Sequence, residues 1–214
     1  MISLRSADQS TILRILLVLF VIYLIIIKYP ATISIILLAV AFLLDGVDGY
    51  LALRETSKGK ITLSMYINYS LGDKTNAKQI KAFKESTAKT AKYGPRFDVA
   101  ADRIAEYSFW ALFTVLNIVP FFVLIIVIIR HSLADAFLGS KGTSSKMKTG
   151  IASKLYSSNI SRGAINVLKF VTFAYLILVY VASYPIVPGY ILIALLVLFI
   201  VARGAAEIYE SLKS

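Results

Sequence analysis

Two pairs of carboxylates stand out by their spacing: Asp45 and Asp48 are three positions apart, and Asp98 and Asp102 are four apart. On helices each pair occupies a single face, so all four can converge. Without a cation such a cluster would repel itself severely, and a hard divalent ion with oxygen ligands is the natural compensation. The chain has no cysteine and one histidine, which excludes thiolate sites, disulfides and an imidazole-rich zinc site. Magnesium or manganese follows. Two such ions would also do chemistry: they would clamp a diphosphate, draw charge toward a leaving oxygen and leave one carboxylate to act as base. Gly46, Gly49, Ala52 and Gly94 lie among the aspartates and remove side chains where a phosphate or nucleotide must approach backbone.

Asp45 and Asp48 close an almost wholly apolar run, ATISIILLAVAFLL, where ionised groups are costly and something must repay them. The composition around them is that of a chain whose preferred solvent is largely lipid: 58% hydrophobic, 16% charged, mean hydropathy +0.76 over 214 residues. Apolar runs long enough to span a bilayer occur at about 11–29, 31–53, 98–119, 120–138, 164–183 and 188–208. Pro30, Pro120 and Pro185 mark short turns, because the residue before proline is driven out of the helical region. The first run is a retained span, since it is long for a signal-peptide core and leads at once into another. The expectation is an all-α integral membrane bundle of six transmembrane helices in a single domain, 1–214.

The formal charge of +11 reads as topology and anionic lipid headgroups, not nucleic acid, because lysine and arginine concentrate in two segments, 54–96 and 139–163. The positive-inside rule puts both segments and both termini in the cytoplasm of a multi-pass cell-membrane protein. The four aspartates then lie at the cytoplasmic ends of spans two and three, facing a polar cavity that opens there. The one sizeable excursion is a basic insertion at about 55–92. Its first part, KITLSMYINYSL, alternates apolar and polar residues as an extended segment does, and NAKQIKAFKESTAKTAK reads as a basic helix with Ile80, Phe83 and Ala91 on a weak apolar side. A helix on the membrane surface and a solvated basic linker fit that stretch equally well.

Asp45-x2-Asp48-Gly49-x2-Ala52, followed by Gly94-x3-Asp98-x3-Asp102, resembles the signature of the CDP-alcohol phosphatidyltransferase family, D-x2-D-G-x2-A-R-x8-G-x3-D-x3-D. The resemblance implies two divalent ions held by Asp45, Asp48, Asp98 and Asp102, with Asp102 the catalytic base. It implies a CDP-linked lipid donor bound by Asp48, Gly49, Ala52, Arg54 and Gly94, an alcohol acceptor, release of CMP, and a homodimer. Two departures stand out. Leu53 intervenes before Arg54, which turns that arginine about 100° around the helix relative to the family pattern. The spacer before the glycine, normally eight or nine residues, is the long insertion, and it costs little extra closure entropy because that cost grows only logarithmically with length.

Arg130, Lys146, Lys148 and Arg162 fall on the same predicted side of the membrane as the aspartates. They suit a phosphorylated acceptor, such as glycerol phosphate or inositol phosphate, through charge-assisted hydrogen bonds. They suit lipid headgroups and the positive-inside rule about equally. Each aspartate alone reads as an interfacial helix end or a helix start favoured by the dipole, but four together do not. The alternative function is a small cation-coupled transporter, which requires polar residues continuing toward the outer face, and the outer halves of these spans are nearly uncharged. A noncatalytic anchor leaves the aspartates unexplained.

Overall fold

A computed structural model describes residues 6–73, 75–90, 94–141 and 159–213. The described residues form helices and turns with no strand: α1 Ser6–Ile26, α2 Ala31–Thr56, α3 Leu63–Ser70, α4 Ala77–Thr90, α5 Gly94–Val115, α6 Phe121–Lys141, α7 Asn159–Ala182 and α8 Ile186–Lys213. Among the described residues, four helices are long and apolar enough to cross a membrane: α1, α2, and the stretches Gly163–Ala182 of α7 and Ile186–Ala206 of α8. With the rows of apolar side chains left exposed on them, among them Leu13, Leu16, Leu19 and Phe20 on α1 and Ile191, Leu195 and Leu198 on α8, they make this an integral membrane protein. The other two expected spans fall on α5 and α6. Asp98, Asp102, Arg103 and Glu106 make the first half of α5 too polar to rank with the four.

The chain divides between Ser108 and Phe109, within α5, into two compact units. The first is organised by the α1–α2 pair. Lys28, at φ 53, ends α1 in the left-handed region, the Tyr29 N–H bonds back to the Leu24 carbonyl, and Pro30 opens α2. The returning helix therefore lies antiparallel to the first. The buried stripe of α1 (Ser10, Thr11, Arg14, Val18, Val21, Ile25) recurs every three or four residues, and α2 buries Ser34, Leu38, Ala41 and Asp48. The two stripes mirror each other. Thr11 pairs with Asp48 and Arg14 with Asp45, and that register sets Val18 level with Ala41 and Val21 level with Leu38. Small residues at Ser10, Ser34 and Ala41 let the backbones approach closely, the means by which helices associate where lipid removes the hydrophobic drive.

The insertion is docked on its own chain. Leu53 at the end of α2, Ile61 and Ile80 of α4 are fully buried together, with Met65, Tyr66, Tyr69 and Phe83 packed around them. The Thr87 hydroxyl hydrogen bonds Thr56, 2.9 Å away, and the Lys84 ammonium lies 4.8 Å from the Tyr69 ring centroid. The apolar side of the basic helix, Ile80 and Phe83, thus packs toward Leu53 at the end of α2, and Ala91 lies outside the described residues. The stretch read as extended is helix α3 at its centre. Thr62 caps it by accepting from the Met65 N–H, and Met65, Tyr66 and Tyr69 fall on one helical face toward the cluster.

In the second unit Phe109, Phe113 and Phe173 stack, with centroids 5.1 Å apart for Phe109 and Phe173, and Trp110 meets Phe173 edge-on. Arg130 of α6 lies across α8 at Gly204. A Cβ there would come within 2.6 Å of the Arg130 Nε, which donates to the Ile200 carbonyl at 3.0 Å. Glycine is what admits that side chain.

Candidate active site

Asp45 and Asp48 sit on the last turns of α2, Asp98 and Asp102 on the second and third turns of α5. Proline in the first turn of α5, Pro95, sits where a helix leaves N–H groups without an intrahelical partner. Carboxylate oxygens of Asp45, Asp48 and Asp98 lie within 4.8 Å of one another. Ligands on opposite sides of a magnesium-sized ion are roughly 4.2 Å apart, twice the usual 2.1 Å bond, so small side-chain rotations suffice for these three to share an ion. Asp102 joins them through an arginine.

That arginine, Arg14 of α1, was not among the residues singled out by the sequence. It is 4% exposed and its guanidinium spans the cluster: Nη1 contacts Asp45 and stands 3.0 Å from Asp102, while Nη2 stands 3.4 Å from Asp98. One guanidinium against four carboxylates still leaves the group strongly anionic. Asp48, also 4% exposed, is held by the Thr11 hydroxyl at 3.1 Å from Oδ2, which shares its single proton with the Ala7 carbonyl at 3.0 Å. Asp48 Oδ1 is buried and makes no hydrogen bond. A buried carboxylate oxygen without a partner is costly, and a cation in the cluster would supply what it lacks. On donor chemistry and geometry the residues fit a hard divalent ion.

The expected donor-binding residues divide. Gly49 and Ala52 lie on the same stretch of α2 as Asp48, and Gly94 opens α5. Arg54 is exposed, and Leu53, in the place where the family pattern has arginine, is buried in the insertion cluster. The extra residue has therefore turned the arginine off the buried face. The expected acceptor residues lie elsewhere in the chain. Arg130 holds α8 within the second unit, Arg162 belongs to α7 with its side chain outside the described residues, and Lys146 and Lys148 fall outside them altogether. Glu106, one turn beyond Asp102, is buried.

The fold and the cluster define a helical integral membrane protein with an acidic, oxygen-only cluster that could hold a cation. A family model described as CDP-alcohol phosphatidyltransferase matches residues 4–61, which takes in α1, α2, Arg14 and the first pair of aspartates. The resemblance stated from the motif is thus also found by comparison over about a quarter of the chain. The match ends at Ile61, within the insertion, and the second pair of aspartates lies beyond it. No curated protein and no solved structure matches the chain.

Proposed function

We propose that this protein is a metal-dependent CDP-alcohol phosphatidyltransferase of phospholipid synthesis. The observation that carries the reading is the convergence of Asp45, Asp48 and Asp98 with an unpartnered Asp48 oxygen among them, in a chain whose first two helices match that family. Asp45, Asp48, Asp98 and Asp102 would hold one or two Mg²⁺ or Mn²⁺ ions, which when bound neutralise a diphosphate and stabilise charge on the leaving oxygen. Asp102 takes the proton from the acceptor hydroxyl as its oxygen attacks the lipid-bearing phosphorus. The phosphoanhydride bond to the nucleotide breaks, and CMP leaves with that electron pair. Arg14 orients Asp45 and Asp102 and offsets part of their repulsion, and Thr11 fixes Asp48 so that Oδ1 stays available.

On this reading α5 and α6 complete a six-span bundle, both termini and the site face the cytoplasm, and the resemblance carries a homodimer with it. The acceptor is a phosphorylated alcohol if Arg130, Lys148 and Arg162 reach it. The matched family disfavours the cation-transporter alternative. The test is CMP release by the purified protein in detergent from CDP-diacylglycerol and from its ether-lipid counterpart, with Mg²⁺ or Mn²⁺ and a panel of free and phosphorylated alcohols. Metal-dependent CMP release that requires an acceptor is the expected result. Failure of every donor and acceptor pair with either metal would overturn the assignment.

A further inference from the structure

Helix α3 has two apolar faces, and among the described residues only one is covered. Met65, Tyr66 and Tyr69 pack on the Leu53, Ile61 and Ile80 cluster. Leu63, Ile67 and the C-cap Leu71 follow one another at steps of four residues, which on a helix turns each only about 40° from the one before. They form a single stripe roughly opposite the packed face, and they stand 50%, 46% and 77% exposed. Single exposed apolar side chains are ordinary on a surface, but three in register on so short a helix make a patch.

The depth of α3 bears on what meets that patch. α2 starts at Ala31, directly after the Pro30 turn, and Gly49 lies about 27 Å further along it at roughly 1.5 Å per residue. The hydrocarbon core of a bilayer is roughly 30 Å thick, so Gly49 stands near the membrane boundary opposite Pro30. α3 is pinned at that level: a Cβ on Gly49 would come within 2.7 Å of the Tyr66 hydroxyl oxygen, and the Tyr50 and Tyr66 ring centroids are 5.9 Å apart. Tyrosine rings favour such a boundary. Charge points the same way. The segment 55–92 holds eight lysines and three acidic residues. Lys58 and Lys60 precede α3, Lys78 and Lys81 follow it, all four are exposed, and the helix itself carries no charge. An uncharged apolar stripe flanked by lysines suits acyl chains beneath anionic headgroups.

We infer that α3 is an interfacial anchor: Leu63, Ile67 and Leu71 enter the boundary between headgroups and acyl chains, and the flanking lysines meet the phosphates of anionic lipids. The insertion is then held twice, by its packing on α2 and by the bilayer, beside the end of α2 that carries Asp45 and Asp48. None of this depends on the transferase reading or on which side of the membrane is cytoplasmic.

The chain has no cysteine, so single cysteines can be labelled selectively. Leu63→Cys, Ile67→Cys and Leu71→Cys, with Leu19→Cys on the exposed side of α1 as a reference within the span, are each spin-labelled in the full chain and reconstituted into vesicles of phosphatidylcholine and phosphatidylglycerol. Power saturation reads collisions with oxygen, which concentrates in lipid, and with a water-soluble nickel chelate. The expected oxygen-to-nickel ratio exceeds one at all three α3 positions and is smaller there than at position 19, because the boundary is shallower than the core. In vesicles of phosphatidylcholine alone the α3 ratios fall toward one while the ratio at position 19 holds. Nickel collisions in excess at two or more α3 positions would place the stripe in water and overturn the anchor. Few collisions with either reagent would mean that protein, a second copy or another part of this chain, covers the stripe, and would overturn it equally. Ratios indifferent to phosphatidylglycerol would overturn the contact between the lysines and anionic lipid.

Discussion

Replacing Arg14 by alanine tests the acidic cluster from its cationic side. The guanidinium is almost wholly buried and faces three carboxylates, so its loss leaves those charges without a counter-ion. Breaking a fully buried ion pair costs about 3–5 kcal/mol. Asp45, Asp98 and Asp102 keep 31%, 52% and 45% of their side-chain surface exposed, and solvent screening lowers the figure to about 2 kcal/mol. For a chain of this size that corresponds to a fall of roughly 4–8 °C in melting temperature. The assay is thermal melting in detergent, with EDTA and with Mg²⁺. In EDTA Arg14→Ala melts lower by about that amount. Mg²⁺ then stabilises the variant more than the wild type, because an ion in the cluster meets carboxylates freed from the guanidinium, and ligand at 100 times its Kd contributes about 2.7 kcal/mol. Equal melting of wild type and variant in EDTA would refute the counter-ion role. An equal Mg²⁺ shift in both would refute the claim that arginine and metal share the same carboxylates.

Asp45→Ala, Asp48→Ala and Asp98→Ala should each abolish CMP release, as should chelation, and full activity in a chelated preparation would remove the metal from the proposal. Asp102→Asn should cut turnover by roughly 10²- to 10⁴-fold, the range for a general base, with donor affinity read by CMP titration much less affected; equal losses would make Asp102 chiefly a metal ligand. Leu53→Arg, which places there the residue type of the signature that the motif resembles, forces a charge into the Leu53, Ile61 and Ile80 cluster. It should undock α3 and α4 and speed limited proteolysis within 55–92, and an unchanged cleavage rate would contradict the packing described. Arg130→Ala and Arg162→Ala should raise the KM for a phosphorylated acceptor severalfold if these residues bind it, and unchanged KM in both would remove them from the site.

The aspartates were legible because their spacing is local: helical geometry alone sets Asp45 beside Asp48 and Asp98 beside Asp102, and the electrostatics of four carboxylates calls for a cation. The offset of Arg54 was legible for the same reason, and the exposed arginine beside a buried Leu53 follows the 100° rotation expected of one extra residue. Arg14 was missed although a signal was present. It is the only charged residue within the apolar run of α1, and an ionisable group there calls for a partner; Thr11 and Arg14 share with Asp48 and Asp45 the three-residue step that an antiparallel helix pair brings into register. The docking of the insertion was not legible. It depends on Leu53 meeting Ile80 across a turn and two helices, a long-range contact that periodicity does not encode. For α3, a short alternation of apolar and polar residues outweighed the Thr62 cap, and tertiary packing decided the outcome.

The position of Arg14 ahead of the acids it binds has a consequence for biosynthesis. About 50 residues separate Asp48 from Asp98, and at roughly 5–20 residues per second a ribosome needs several seconds to cover them. During that interval α2 carries two carboxylates at the end of an apolar segment, and α5 does not yet exist. Arg14 and Thr11 have already been made, on the helix against which α2 packs. The first hairpin thus brings its own counter-charge to the membrane and can settle as a unit before the second half of the site emerges.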